Sequence, residues 1–393
     1  MRSRPVLVGL VLSLLTSVCL AATAQAAPPT GDYIVVLNAG ARPAAVARRH
    51  GGTFEVDVHA VWRHALKGYV ARVRGTELAA LRRDRSVAYV EKDRRVSVAK
   101  PRSRAKPGSG AAAYSFASWG IDRIDQRNLP LDSSYAVDGD GSGVRVYVID
   151  TGILVGHDQF GGRASSGWDF IQNDATAQDC NGHGTHVAGT VAGSTYGVAR
   201  RASVVGVRVL DCGGSGSWSS VISGIDWAIT DHGSGPAVAN LSIGGPASSA
   251  VDTAIANLVN DGVTVVVAAG NEARDACLGS PARAASAITV AATTSSDDRA
   301  SYSNFGSCVD LFAPGSSIRS AWYTSDSATA TLSGTSMASP HVAGVAAIRL
   351  GLGSGLSPAQ VWTGIRDAAS TGKVKGLNKP RFSGTPNRLL WVD

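Results

Sequence analysis

The chain has 393 residues, 44% of them hydrophobic and 17% charged, with a formal net charge of +7. That length allows two or three folded units with a sizeable core, and the charge is local: residues 32–107 hold 17 Lys+Arg against 7 Asp+Glu, whereas residues 108–393 hold 18 against 23. The basic excess sits in the N-terminal third, so the larger remainder offers no basic stripe for nucleic acid. At the N-terminus, Arg2 and Arg4 precede an apolar run from Val6 to Leu20, and Ala24-Gln25-Ala26 has the small-x-small form of a cleavage site. Residues 1–26 therefore read as a secretory signal peptide. The run is about 15 residues, short of the roughly 20 that span a bilayer, and no later stretch could serve as a span. Cys19 leaves with the signal, and bulky Val18 before it argues against lipidation.

Residues 32–98 read as a small α+β unit. Strands are expected at Tyr33–Leu37, Thr53–Trp62, Gly68–Val73 and Val87–Val90. Helices are expected at Pro43–His50, stopped by Gly51-Gly52, and at Thr76–Arg83. The order β-α-β-β-α-β is that of a split ferredoxin-like unit. Residues 99–111 mix Pro, Gly, Ser and basic residues without an apolar period, as an exposed processing linker does.

Residues 112–393 change character. Apolar strands at Val144–Ile149, Ser203–Leu210, Ala237–Ile243, Val263–Ala269 and Ala287–Ala292 alternate with helices at His183–Ala192, Ser219–Asp231, Ser248–Asp261 and Ser336–Leu350. Unbroken Val/Ile/Ala runs suit a mainly parallel sheet covered on both faces, so the fold class is α/β, doubly wound. Four cysteines remain after export: Cys180, Cys212, Cys277 and Cys308. An oxidising compartment suggests two disulfides, with three pairings open and free buried thiols as the alternative. No C-x-x-C pair supports zinc.

Reactive side chains in such sheets collect beyond the carboxyl ends of the strands. Val146-Tyr-Val-Ile-Asp150 runs an apolar strand into a carboxylate, which could orient an imidazole, bind a metal, contact a ribose or cap a helix. In Asn181-Gly-His183-Gly-Thr-His186, glycines flank His183 so that backbone can approach it; a metal pair with His186 lacks the Glu of HExxH, and His186 reads as a structural helix residue. In Gly334-Thr-Ser336-Met-Ala-Ser-Pro340, Ser336 opens a long apolar helix, with Pro340 placed in the first turn where a missing N–H costs little. Ser336 could be a simple cap, or a nucleophile whose own backbone N–H faces a developing oxyanion. Asn271, ending the strand Val265-Val-Val-Ala-Ala-Gly270, could make a turn or donate to that oxyanion. Serine attack needs a base, a group that orients the base, and oxyanion donors. Ser336, His183, Asp150 and Asn271 with the Ser336 N–H would supply them, in the chain order Asp, His, Ser.

On Val148-Ile-Asp150-Thr-Gly152, Asn181-Gly-His183-Gly-Thr-His186-Val-Ala-Gly189 and Gly334-Thr-Ser336-Met-Ala-Ser-Pro340, the chain resembles the subtilisin-like serine proteases (subtilases). The opening Trp119-Gly-Ile-Asp-Arg-Ile-Asp-Gln126 is similar to their proteinase K and aqualysin branch. Residues 32–98 resemble the inhibitory propeptide of these enzymes, serving as intramolecular chaperone and inhibitor. The resemblance implies a secreted serine endopeptidase, made as an autoprocessed zymogen, that hydrolyses extended protein and peptide substrates through an acyl-enzyme, as a monomer with no nucleic-acid or membrane partner and no catalytic metal. It implies that Gly214-Ser215-Gly216 and Ser242-Ile243-Gly244 pair with the substrate backbone as an added strand, although composition alone would make the first a flexible linker. Ala268, Ala269 and Gly270 would line a pocket for a large apolar side chain. A structural calcium would be held by Asp310 and the carbonyls of Ala285 and Ala287. The aqualysin pattern agrees with the pairing Cys180–Cys212 and Cys277–Cys308. The mature chain would begin between Gly108 and Tyr114, and a basic propeptide would be drawn to a mildly acidic enzyme. An esterase with the same triad, or an inactive binding protein on this scaffold, are the competing readings.

Overall fold

The computed structural model describes residues 30–98, 117–353 and 355–392. The signal peptide, the linker at 99–111 and the expected mature terminus lie outside them. Residues 30–98 form β1 (Gly31–Leu37), α1 (Pro43–Phe54), β2 (Asp57–Trp62), β3 (Gly68–Val73), α2 (Gly75–Arg83), β4 (Val87–Lys92) and β5 (Arg95–Val98). The first four strands make an antiparallel sheet in the order β2-β3-β1-β4. One expectation fails here: Gly51-Gly52 do not stop α1, which continues to Phe54 and leaves the helix at Glu55 with φ +49°. Phe54 packs on the domain core and edge-on to His50, with ring centroids 5.2 Å apart. Such packing outweighs the helix cost of glycine, about 1 kcal/mol each.

The second unit continues with α3 (Trp119–Ile124), β6 (Arg145–Asp150), β7 (Ala164–Asp169), α4 (His183–Ala192), β8 (Ser203–Arg208), β9 (Ser215–Ser217) and α5 (Trp218–His232). Next come β10 (Ala237–Leu241), β11 (Ile243–Pro246), α6 (Ser249–Asn260), β12 (Thr264–Ala268), β13 (Gly279–Ser280), β14 (Ile288–Thr293) and β15 (Leu311–Pro314). A hairpin of β16 (Ile318–Ala321) and β17 (Thr329–Leu332) precedes α7 (Thr335–Leu352), α8 (Pro358–Ala368), β18 (Ser370–Thr371) and β19 (Arg388–Leu389). The long sheet has nine strands in the order β18-β19-β15-β14-β12-β10-β6-β8-β7. Its pairings are parallel except β18 with β19. The run read as one strand, Ala237–Ile243, breaks at Ser242, so that β11 leaves the sheet to pair elsewhere.

Alternation along the strands sends side chains to two cores. Val146, Val148 and Val266 face α4 and α7, with Val187, Val191, Val342 and Val345. Tyr147, Ile149, Val265 and Val267 face α5 and α6, with Val221, Ile225, Val251 and Ile255. The second core continues into the N-terminal unit. Ile34, Val36 and Val70 present the free face of its sheet to α5 and α6, while Val35 and Leu37 point back to its own helices. Trp62 is buried at this junction, its Nε1 donating to Ser223 Oγ at 2.8 Å.

Polar contacts across the junction rest on carboxylates and backbone. Among the described ion pairs none joins the basic unit to the acidic one. Carboxylates meet backbone instead. Glu91 accepts from the Ser249 N–H at 3.0 Å and Asp93 from the Ser219 N–H at 3.1 Å, at the N-termini of α6 and α5. Asp226 of α5 accepts in return from the N–H groups of Arg63, His64 and Ala65 at 2.7–3.1 Å. Orphan donors at a helix start favour an anion whatever the net charge of the partner.

Both proposed disulfides are present, Cys180–Cys212 and Cys277–Cys308. A buried ion pair anchors the start of the second unit: Arg123 of α3 grips Asp297 with Nε and Nη2 at 2.7 and 3.0 Å. Arg123→Ala would strand the Asp297 charge, and we expect it to cost about 3–5 kcal/mol, measurable as a fall in the urea midpoint.

Candidate active site

The helices that carry His183 and Ser336 begin differently from their neighbours. Helices α5, α6 and α8 start on Ser217, Ser248 and Ser357, each accepting a backbone N–H of the first turn. Helices α4 and α7 start on Gly182 and Gly334, which carry no capping side chain. The first turn of α4 meets the end of β6, and that of α7 meets the residues that follow β10 and β12.

Asp150 ends β6, fully buried. Its Oδ1 accepts from the Thr151 N–H at 2.7 Å and lies 2.8 Å from His183 Nδ1. A carboxylate oxygen facing the ring sets the tautomer: Nδ1 carries the proton and Nε2 faces outward with its lone pair. The backbones make this approach possible because they touch. A Cβ on Gly184 would meet the Gly152 carbonyl oxygen at 2.1 Å. His186 is set apart, buried, with Nε2 on the carbonyls of Ile318 and Ala330 at 3.0 and 3.2 Å. Burial pushes its pKa down to about 3, so it is a neutral donor locking α4 to the hairpin.

Ser336 is the second residue of α7. Its hydroxyl donates to the Ser242 carbonyl at 3.0 Å, and among the described residues it makes no hydrogen bond to His183. Ser242 Oγ donates back to the Ser336 carbonyl at 2.9 Å. That return bond corrects the reading of Pro340. Because α7 starts at Thr335, Pro340 lies in the second turn, where its missing N–H removes a helix bond. The carbonyl left without that donor, four residues back, belongs to Ser336, and Ser242 supplies the replacement. Asn240 extends the link, donating to Ser242 Oγ at 2.9 Å and accepting from Ser339 Oγ at 2.7 Å.

Asn271 follows the end of β12. Its Oδ1 accepts from the Thr335 N–H at 2.8 Å and the Thr335 hydroxyl at 3.0 Å. With the oxygen claimed on that side, the orientation of the side-chain amide is fixed. The Ser336 N–H has no partner among the described residues, as expected of a helix start aimed at a cleft.

The two segments expected to pair with substrate come together with a third between them. β5 lies antiparallel between β9 and β11, pairing Val96 with Gly216, Ser97 with Ser215 and Gly244, and Val98 with Ile243. The Val98 N–H donates to the Gly214 carbonyl at 2.9 Å. Gly214-Ser215-Gly216 is thus an ordered strand edge. Beside β5, Ala268, Ala269 and Gly270 wall a cavity of about 530 Å³. Arg95 of β5 also lines it, and the remaining charged lining, Glu272 and Arg274, has no counterpart among the sequence expectations. Glu272 accepts from Asn304 Nδ2 at 2.9 Å and Arg274 sits 3.6 Å from it. Two opposite charges just past Asn271 were the available signal.

Comparison with known proteins identifies the architecture. Residues 141–384 match the sequence model of the Subtilase family and residues 32–99 that of the peptidase inhibitor I9 family. The chain belongs to the subtilase family of serine proteases. It is 54% identical to an extracellular serine proteinase of Thermus sp. (strain Rt41A), over 85% of this chain and 78% of that protein. It is 52% identical to alkaline serine exoprotease A of Vibrio alginolyticus, over 87% of this chain, and spans 62% of that longer protein. A crystal structure of a cold adapted subtilisin-like serine proteinase superposes with a TM-score of 0.67 at 56% identity, covering 70% of this chain and 98% of that one.

The expected calcium position of this subtilase has a suitable donor chemistry. Asp310 is pushed up to about 6 by burial, with the Thr289 N–H and Arg388 only partly opposing it. Among the described residues no hydrogen bond outside the sheet ladders ends on the carbonyls of Ala285 or Ala287. A lone buried carboxylate with spare carbonyls nearby fits a hard cation, although no cage of three acidic, His or Cys side chains occurs among the described residues.

The Ser242 bond yields a direct test. Ser242→Ala would leave the buried Ser336 carbonyl without a donor, and we expect a loss of about 1–3 kcal/mol, read as a lower thermal midpoint.

Proposed function

We propose that this subtilase is a secreted serine endopeptidase, made as a zymogen that cuts itself, with Asp150, His183 and Ser336 as its triad and Asn271 with the Ser336 N–H as oxyanion donors. In this reading His183 Nε2 takes the Ser336 hydroxyl proton as Oγ attacks the peptide carbonyl. Asp150 holds the ring and stabilises the imidazolium, and the amide and helix-start donors receive the charge that develops on oxygen. Collapse of the tetrahedral species expels the amine, which takes its proton from His183, and leaves an acyl-enzyme for water to hydrolyse. The Ser336 hydroxyl, resting on the Ser242 carbonyl, must swing to His183 for the first step; apo geometries of this kind commonly tighten on substrate binding.

One observation carries the endopeptidase reading over an esterase: β5 is an extended backbone paired on both edges, the mode by which a polypeptide is recognised as an added strand. It also supports inhibition, since the propeptide tail fills the place a substrate would take. Ser336→Ala is expected to accumulate as an uncut precursor, detected by mass spectrometry, while the wild-type protein is labelled by a serine-reactive phosphonate. Normal maturation of the variant would defeat self-cleavage.

The cavity beside Gly270 favours a large apolar residue before the scissile bond. Arg274 offsets the Glu272 carboxylate in its lining, so Arg274→Ala should raise cleavage after Lys or Arg relative to Phe by about 3–10-fold, the effect of one unmasked charge in a partly wet site. A peptide library read by mass spectrometry checks it.

Calcium is assigned to Asp310 with the carbonyls of Ala285 and Ala287. The group's folded pKa is raised to about 6, so without metal its contribution to stability is full below about pH 4 and is lost as pH rises through 6. A bound cation reverses that loss. Chelation should therefore lower Tm far more at pH 8 than at pH 4, and Asp310→Asn should abolish that part of the difference.

A further inference from the structure

A side chain outside the proposed triad spans both members of its charge pair. Asp179 is buried, at 3% exposure, four residues before His183. Oδ1 accepts from Thr151 Oγ1 at 3.0 Å and from the N–H groups of Asn181 and Gly182 at 2.9 Å each. Oδ2 accepts from the Thr185 N–H at 3.0 Å and the Thr185 hydroxyl at 2.6 Å. Among the described residues no Lys, Arg or His forms an ion pair with it.

These five donors come from three places that must agree for Asp150 and His183 to meet. Thr151 directly follows Asp150. Asn181 and Gly182 lead into His183, and Thr185 lies two residues beyond it. Thr151 Oγ1 also accepts from the Gly184 N–H at 2.9 Å, and Thr185 Oγ1 from the Leu154 N–H at 3.0 Å. Each hydroxyl therefore relays Asp179 to the opposite backbone.

The same carboxylate does the work of a missing cap. An N-cap side chain normally accepts the N–H of the third helical residue, which in α4 is Thr185. Gly182 holds the cap position with φ +101°, and a Cβ there would enter the Trp322 ring at 2.5 Å. A capping Ser or Asp has no room at that position. Asp179 reaches in from three residues earlier and satisfies the donor instead.

We propose that Asp179 is a positioning residue for the reaction: it fixes the start of α4 against the end of β6 so that the Asp150–His183 bond is already formed before substrate arrives. The proposal rests on the triad reading above. Its energetic basis is that pre-set geometry lowers the barrier, and a displacement of about 1 Å can cost ~100-fold in rate.

The test compares Asp179→Asn, Thr151→Val and Thr190→Val with wild type. All are made as full-length precursor and assayed after maturation on a peptide anilide, with folding followed by near-UV circular dichroism. Asp179→Asn keeps the volume but turns an amide donor toward one set of donors. We expect kcat to fall about 10–100-fold with KM within about twofold. The acidic limb of the kcat/KM profile should move to lower pH, because a loosened Asp150 stabilises the imidazolium less. Thr151→Val, which removes one relay, should move both readouts the same way by less. Thr190→Val removes a hydroxyl of the same helix that bonds only the His186 carbonyl, at 3.0 Å; it should lower Tm and leave kcat and the pH profile in place. A folded Asp179→Asn enzyme with wild-type kcat and pH profile overturns the proposal. Should that variant not fold, unaltered kcat and profile in Thr151→Val overturn it equally. A wild-type protein that cleaves no peptide sinks the peptidase reading instead.

Discussion

Asp150 has to be dry and still be met. Taken out of water, its carboxylate loses solvation that one imidazole N–H and one backbone N–H only partly restore, and among the described residues Oδ2 has no hydrogen-bond partner. The surroundings are arranged so that, beyond the adjoining Thr151 N–H, this costly group finds relief toward His183. Both backbones are stripped of side chains where they cross, at Gly152 and Gly184. The helix that brings the imidazole cannot carry its own cap. Even the neighbouring arginine is engaged elsewhere: Arg208, opposite Asp150 in the ladder, binds Asp169 at 2.7 Å and touches the Cys180–Cys212 sulfurs.

The start of α7, at Ser336, follows another logic. A proline in the second turn of α7 frees the carbonyl of Ser336, and a side chain at the break between β10 and β11 takes it up. The strand break and the helix defect are thus two halves of one joint. The joint also sets where β11 departs to form an edge for an extended partner.

Much of this was legible in residue order. The helix at His183–Ala192 emerges with the expected ends because glycine and polar residues mark its start and the apolar period its length. The four candidate groups were nameable from motifs, and the cysteine pairing from the resemblance to the aqualysin branch. Other features were legible only in three dimensions. Gly51-Gly52 read as a stop because local propensity says so, and Phe54 overrides it through contacts made far along the chain. Pro340 reads as harmless near a helix start, yet in α7 it lies in the second turn and leaves a carbonyl without its donor. Asp179 drew no notice: its partners are mostly backbone N–H groups, which leave no mark in a sequence. The net charge of the propeptide likewise gave no hint that Asp93 and Glu91 would meet the starts of α5 and α6 across the interface.

The strands that hold β5 are short, three residues in β9 and four in β11. Whatever enters between them must first surrender its own secondary structure over several consecutive residues, since each backbone edge is occupied. On the proposed substrate mode, such a cleft would weigh foldedness before chemistry: compact proteins would pass by, while frayed termini and loosened loops would be taken. On the proposed reading, the same sieve would apply to other copies of the enzyme. Loops stapled by disulfides on either side of the cleft are the segments least able to straighten, and so the ones least exposed to self-digestion.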